Sequence, residues 1–405
     1  MEWFKETMFF YSVNTKFNLN LTLMKIARTL SMLFVILIAH QTYGQFADTT
    51  QIIPQRKQIK YLDVRFENGA MLSDDTEFGD QIVNSSYYNG FDIRLGFRKS
   101  DPDDVYSNVY RRPYLGVGFY SSTFHNNDVG SPNALYFFMT MPFAFENNKK
   151  LTFSYTGAFG LSYNFNPYDS INNPINTFIG SYRNCYVHLG LVMNYKISDR
   201  WAVNGTVGFK HFSNGAFKLP NMGINLIPAT VAVSYRLNPN DVVHQRTYLP
   251  EYIKHGLVNV TFSAGSKNYA VGDQNYLKTV LGVNYLRQVN YKYRIGLGMD
   301  FFYSPHADKR NDSDKSDFSK SVSYALVGSW EWVINKNLYV PIGIGAYLHR
   351  NDENGETSTI YERVGLRYRF ADHYCAGLTI KAHSGTADFF EWTVGYTFHR
   401  DKNKY

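Results

Sequence analysis

From Leu151 to Tyr163 the chain alternates strictly. Leu151, Phe153, Tyr155, Phe159, Leu161 and Tyr163 fall on one face, and Thr152, Ser154, Thr156, Ala158, Gly160 and Ser162 on the other. Successive side chains of a strand point to opposite faces, so this is a strand with an aromatic face and a small or polar one. A soluble sandwich would bury its aromatics. A narrow membrane barrel turns them toward lipid and fills its lumen with small and polar groups, and that is the arrangement expected here. The amino-acid usage agrees: 33 Tyr and 31 Phe stand among 405 residues, only 19% are charged, and no long apolar run suggests a helical bundle.

Segments of the same kind recur near 59–70, 90–98, 113–122, 134–146, 151–164, 184–197, 200–213 and 225–237. A second series lies near 256–266, 276–288, 292–304, 320–333, 337–349, 358–370, 373–383 and 389–398. The halves also share wording. Tyr195-Lys-Ile-Ser-Asp-Arg-Trp201 parallels Tyr368-Arg-Phe-Ala-Asp-His-Tyr374, and Tyr114-Leu-Gly-Val-Gly118 parallels Arg294-Ile-Gly-Leu-Gly298. The expected fold is therefore all-β, a transmembrane antiparallel β-barrel built from a duplicated eight-strand unit. Two tandem eight-stranded barrels or one barrel of about sixteen strands both satisfy the pattern. The units are read as 59–237 and 256–398, with 238–255 as linker and 399–405 as a basic tail. Short turns at Glu146–Lys150 and Ser198–Arg200 alternate with long loops at 72–89, 123–133, 165–182 and 214–224. With a periplasmic start, the long loops are extracellular. The connection at 99–112 is longer than a periplasmic turn should be.

Met24 to Gly44 reads as a secretory signal peptide: Lys25 and Arg28 lead, Leu30 to Ala39 form the apolar core, and a small-residue site precedes Gln45. Residues 1–23 are then an upstream extension and 45–58 a polar lead. The cysteines are Cys185 and Cys375, one per half, which is not a disulfide framework. The net charge of +7 is spread along the chain without a nucleic-acid footprint, so no nucleic-acid partner is expected.

The stretch Val207 to Leu237 carries the chemistry. Trp201, Val203, Val207 and Phe209 form an apolar stripe that His211 and Ser213 continue. On the return strand Ile227, Ala229, Val231, Val233 and Tyr235 form its partner, opened by Asn225. An imidazole, a hydroxyl and an amide then share one outward face, where they are costly without a purpose. His-x-Ser-Asn followed by Pro-Asn-x-Gly-Ile resembles the active-site stretch of the outer-membrane lipid A 3-O-deacylases, the PagL type or acyloxyacyl hydrolases. The resemblance is close over roughly thirty residues. It implies a base at His211, a nucleophile at Ser213 and, where the family has a Glu that orients the imidazole, Asn225. It further implies lipid A of the outer leaflet as substrate, the bacterial outer membrane as location, and no cofactor or metal. Asn214 or a backbone N–H in the Gly215 turn would supply oxyanion donors.

The second half offers Ile380-Lys-Ala-His383-Ser384 with Glu391 further on. The alternation puts Lys381, His383 and Glu391 inside, as a polar lumen network rather than a second site; a β-bulge would shift that register by one residue. His125, His188, His306, His349 and His373 read as loop or rim positions. The acidic runs at 74–80 and 101–104 read as solvated loops. The competing function is a non-catalytic barrel with a structural or lipopolysaccharide-binding role. A porin would need a wide lumen. The sequence leaves the oligomeric state open.

Overall fold

The computed structural model describes residues 58–99, 101, 103–143, 150–238, 249–306 and 318–399. The expected signal peptide and upstream extension, most of the expected polar lead, linker residues 239–248 and the tail from 400 onward lie outside the described residues, as does nearly all of the turn expected at 146–150.

The chain divides into two compact units, each built on one closed antiparallel barrel of eight strands. The fork left open by the sequence thus resolves to two barrels. The first comprises β1 (Gln58–Leu72), β2 (Asn89–Lys99), β3 (Tyr114–Thr123), β4 (Gly130–Pro142), β5 (Leu151–Phe165), β6 (Arg183–Lys196), β7 (Trp201–Ser213) and β8 (Ile224–Arg236). Each strand pairs with the next, and β1 closes the ring on β8 from Tyr61↔Arg236 to Leu72↔Asn225. The second comprises β9 (His255–Asn268), β10 (Asn275–Gln288), β11 (Tyr293–Tyr303), β12 (Val322–Val333), β13 (Leu338–His349), β14 (Ile360–Phe370), β15 (Tyr374–His383) and β16 (Thr386–His399). Here β16 closes on β9, from Trp392↔Ala264 to His399↔Leu257. Strand β4 starts earlier than expected, at Gly130, and ends at Pro142, with a register shift between Gly130 and Asn133.

Both barrels are inside-out relative to a soluble core. On β5, Phe159 and Leu161 are exposed on the wall while Ala158, Gly160 and Ser162 are buried within. The exposed face is apolar around each ring: Phe137 is 73% and Val231 63% accessible in the first barrel, Leu297 74% and Trp392 70% in the second. Hydrocarbon is the solvent that makes such a surface stable.

The lumens are packed and polar. In the first, Asp92 pairs with Arg65 at 3.1 Å and Arg94 at 3.3 Å and accepts from the Tyr136 hydroxyl at 2.5 Å. Lys210 pairs with Glu67, which also accepts from Tyr88. Tyr120 donates to Tyr88 at 2.9 Å. A Cβ on Gly118 would lie 2.2 Å from the Tyr136 ring, so glycine is what lets that ring cross the lumen. His188, expected at a rim, instead points inward from β6 and is fully buried; odd residues face lipid on this strand, and His188 has the other parity.

Among the described residues three α-helices sit in the connections: α1 (Glu77–Ser85), α2 (Val105–Val109) and α3 (Phe318–Ser321). Helix α1 occupies the acidic run expected to be a solvated loop. Thr76 is its N-cap, accepting from the Gly79 N–H at 3.0 Å, and Glu77 and Asp80 lie in its positive first turn. The overlong 99–112 connection holds α2.

Candidate active site

Strands β7 and β8 form the hairpin that carries the site. Their register sets Trp201 opposite Tyr235, Val207 opposite Ala229 and His211 opposite Asn225. Because β-strand side chains alternate, Asn204, Thr206, Lys210 and Phe212 fill the lumen while His211 and Ser213 stay on the outer wall. The three groups meet there. His211 Nδ1 is 2.7 Å from Asn225 Oδ1, and its Nε2 is 2.8 Å from Ser213 Oγ. An Asn oxygen can only accept, so the contact requires hydrogen on Nδ1 and leaves the Nε2 lone pair to receive the serine proton. Ser213 itself is 5% exposed, sheltered although it faces outward.

The surroundings hold the imidazole in place. Gly223 has φ +78°, and a Cβ there would lie 2.6 Å from His211 Cε1. Backbone at this point is therefore packed close against the ring, as glycine permits. The segment is in turn fixed from above: the Gly223 N–H donates to Phe178 O at 2.9 Å, and the Met222 N–H to Thr177 O at 3.4 Å. Thr177 Oγ1 donates to Asp74 at 2.8 Å, so the 72–89 and 165–182 loops brace one another at the site. The role of Gly223 was not drawn from the sequence. The signal was present, since extending the His211↔Asn225 register by two residues sets this glycine opposite Ser213.

On the other side of β7, Cys185 of β6 lies directly across from Ser213, and Val187 across from His211. Of the expected oxyanion donors, Asn214 is engaged within its own loop. Its N–H donates to Asn221 Oδ1 at 3.0 Å, its Nδ2 to Lys218 O at 2.8 Å, and its Oδ1 accepts from the Lys218 N–H at 3.1 Å. Gly215 turns the chain with φ +63°.

In the second barrel Lys381, His383 and Glu391 all point into the lumen, but to different partners. Lys381 pairs with Asp388 at 2.6 Å, Glu391 receives two bonds from Arg363 at 2.6 and 2.9 Å, and His383 Nε2 is 3.1 Å from the Tyr347 hydroxyl. A register shift does occur, between Lys381 and Ala382, where Lys381 faces Phe389 and Ala382 faces Ala387. The additional residue, Asp388, belongs to β16, so β15 keeps its alternation and His383 stays inside.

Two family models match the chain. One, described as lipid A 3-O-deacylase (PagL), matches residues 92–234; the other, described as the C-terminal domain of acyloxyacyl hydrolase, matches residues 257–400. No curated protein matches. Among solved structures, the toluene transporter TodX of Pseudomonas putida is 11% identical, with 85% of this chain and 89% of that one covered at a TM-score of 0.17. The siderophore receptor PirA of Pseudomonas aeruginosa is 9% identical, with 85% and 63% covered at a TM-score of 0.21. The family models take in the β7–β8 hairpin and most of both barrels, and the chain belongs to the lipid A 3-O-deacylase (PagL) family of outer-membrane β-barrel proteins.

Proposed function

We propose that this protein is a serine esterase that removes an ester-linked acyl chain from lipid A in the outer leaflet. The observation that carries the reading is the hydrogen-bonded chain Asn225–His211–Ser213 on the lipid-facing wall. As the Ser213 Oγ–H proton passes to His211 Nε2, the oxygen forms a bond to the ester carbonyl carbon. The tetrahedral intermediate expels the sugar oxygen, which takes that proton from Nε2 and leaves acyl-Ser213. Water repeats the sequence, giving its proton to Nε2 and regenerating the serine as the fatty acid departs. Developing charge on the carbonyl oxygen is met by the Gly215 N–H or by the second Nδ2 hydrogen of Asn214, whose backbone N–H goes to Asn221 and whose first Nδ2 hydrogen goes to Lys218. Export rests on residues 24–44 acting as a signal peptide.

Asn225 holds the imidazole tautomer as a Glu would, without a charge to stabilise the imidazolium. One specific observation, that substitution, favours a second reading in which the hairpin is a non-catalytic relic that packs against lipopolysaccharide. Mass spectrometry of lipid A from cells carrying equal surface amounts of each variant decides between them. The esterase predicts loss of one hydroxyacyl chain with wild type, none with Ser213→Ala, and turnover raised roughly tenfold or more by Asn225→Glu. Identical spectra for all three support the relic.

A further inference from the structure

We propose that the outer rim of the first barrel carries a second lipid contact, a docking site for the glycosyl headgroup of an outer-leaflet lipid formed by Asn68, Asn89 and His125 beside Tyr87. The identity of the lipid rests on the lipid A reading above; the site itself rests on the following geometry.

Even-numbered residues of β1 face lipid: Leu62, Val64 and Phe66 do, and Asn68 follows them as an exposed amide. Asn68 pairs in register with Asn89, the first residue of β2, which faces the same way. Asn68 Nδ2 donates to Asn89 Oδ1 at 3.1 Å and to Tyr88 O at 2.8 Å. Asn89 Nδ2 lies 3.2 Å from His125 Nε2, in the β3–β4 loop. The result is an amide–amide–imidazole row along the rim. Tyr87, 61% exposed, sets its ring 5.8 Å from that of His125. Polar side chains on a lipid-facing wall are costly in hydrocarbon and belong at headgroup level.

The row is also held rigid. Each exposed member neighbours a buried anchor: Tyr88 and Phe124 point inward and stack at 5.4 Å. The Tyr87 N–H donates to Phe124 O at 2.8 Å, and Asn126 Nδ2 donates to Ser85 Oγ at 3.0 Å and Ser86 Oγ at 3.2 Å. These bonds strap the β3–β4 loop to the end of α1. His125 is thereby kept at φ +50°, a conformation a histidine seldom holds unaided.

The chemistry selects a sugar. Each amide offers donors and an acceptor together, which matches hydroxyl groups. A phosphate site is built on arginine or lysine, and the row contains neither. Just below, Phe66 and Phe91 pack with ring centroids 5.2 Å apart on the same wall, as a surface for acyl chain. The row lies beside the catalytic hairpin, because β8 pairs with β1: Leu72 faces Asn225, and Asn68 is four residues further along. Strand geometry puts Asn68 about 14 Å from Asn225, so a headgroup held here places its lipid alongside the triad.

The test uses the full-length protein with Ser213→Ala, so that no turnover is needed, purified in detergent and exposed to diphosphorylated lipid A, to lipid A stripped of both phosphates, and to phosphatidylglycerol. Native mass spectrometry counts the retained lipid. Adding Asn68→Leu and His125→Leu together is expected to lower retention of both forms of lipid A about tenfold and to leave phosphatidylglycerol unchanged. Unchanged lipid A retention overturns the site. An equal fall for phosphatidylglycerol makes it a general lipid contact, and a fall confined to phosphorylated lipid A makes it a phosphate site; either overturns the sugar assignment. Heat-modifiable gel migration confirms the folded barrel, and His125→Leu alone, a loop change, repeats the measurement if the double variant does not fold. Failure of the esterase reading would show separately, as protein with Ser213 intact that retains lipid A without hydrolysing it.

Discussion

Asn225 gives His211 an acceptor but no counter-charge, and Gly223 gives it a wall. At 2.6 Å from Cε1, a methyl group at position 223 must displace either the ring or the backbone, which is also at φ +78°. For the proposed esterase, Gly223→Ala is therefore expected to lower kcat at least tenfold, since small misplacements of a base cost that much. The barrel should survive, so the same preparation should keep its heat-modifiable gel shift while steady-state hydrolysis falls; unchanged kcat would deny Gly223 a positioning role. The residue types at 211, 213 and 225 were legible because two residues and fourteen residues are spacings that strand and hairpin register convert directly into proximity. What faces the imidazole from 222–223 was not, because it depends on how the 165–182 loop folds back, and no periodic pattern encodes that. Asn214 shows the same limit. Its Oδ1 and one Nδ2 hydrogen are held by Lys218 and its N–H by Asn221, a local bonding pattern that residue type alone does not reveal.

Strand by strand, alternation located all sixteen segments within a few residues, since one face had to be apolar and the other small or polar. The helices escaped because each is short and lies within a polar loop. For α1 the cue was Thr76 before Glu77 and Asp80, an N-cap with acids in the first turn. The β16 bulge shows why register had to be seen: an additional residue on one strand leaves its neighbour's alternation untouched, so His383 stays in the lumen. Within that lumen Arg363 spans Asp300 at 2.5 Å and Glu391 at 2.6 Å. Removing the guanidinium strands two buried carboxylates. Arg363→Leu should destabilise the second barrel by about 3–5 kcal/mol. With Trp201→Phe as background, the remaining strand tryptophans (Trp330, Trp332 and Trp392) all report that barrel in urea unfolding; an unmoved midpoint would mean the pairs add little.

At the scale of the molecule, the chain forms two eight-stranded barrels, each with an apolar outward face and each with its own interior. The internal parallels in wording foretold two units, but strand count alone could not separate two rings from one large ring; closure by β1–β8 and by β16–β9 does. Each ring has eight strands, a size whose interior side chains can fill. Tyr120, Tyr136, Tyr186 and Phe212 are fully buried in the first, and Tyr339, Tyr361 and Phe389 in the second. A planar bilayer containing the purified protein should therefore stay at baseline conductance; stable ion-conducting steps would contradict both packed lumens.

A triad on the wall rather than in the lumen changes what concentration means for this protein. For the proposed esterase, substrate would arrive by lateral diffusion within a single leaflet, so rate should follow the mole fraction of lipid A among neighbouring lipids and not its molarity in bulk. Diluting lipid A with inert lipid or detergent at constant total lipid A would then slow hydrolysis, and crowding of the leaflet by divalent cations would gate encounter without touching a single catalytic atom.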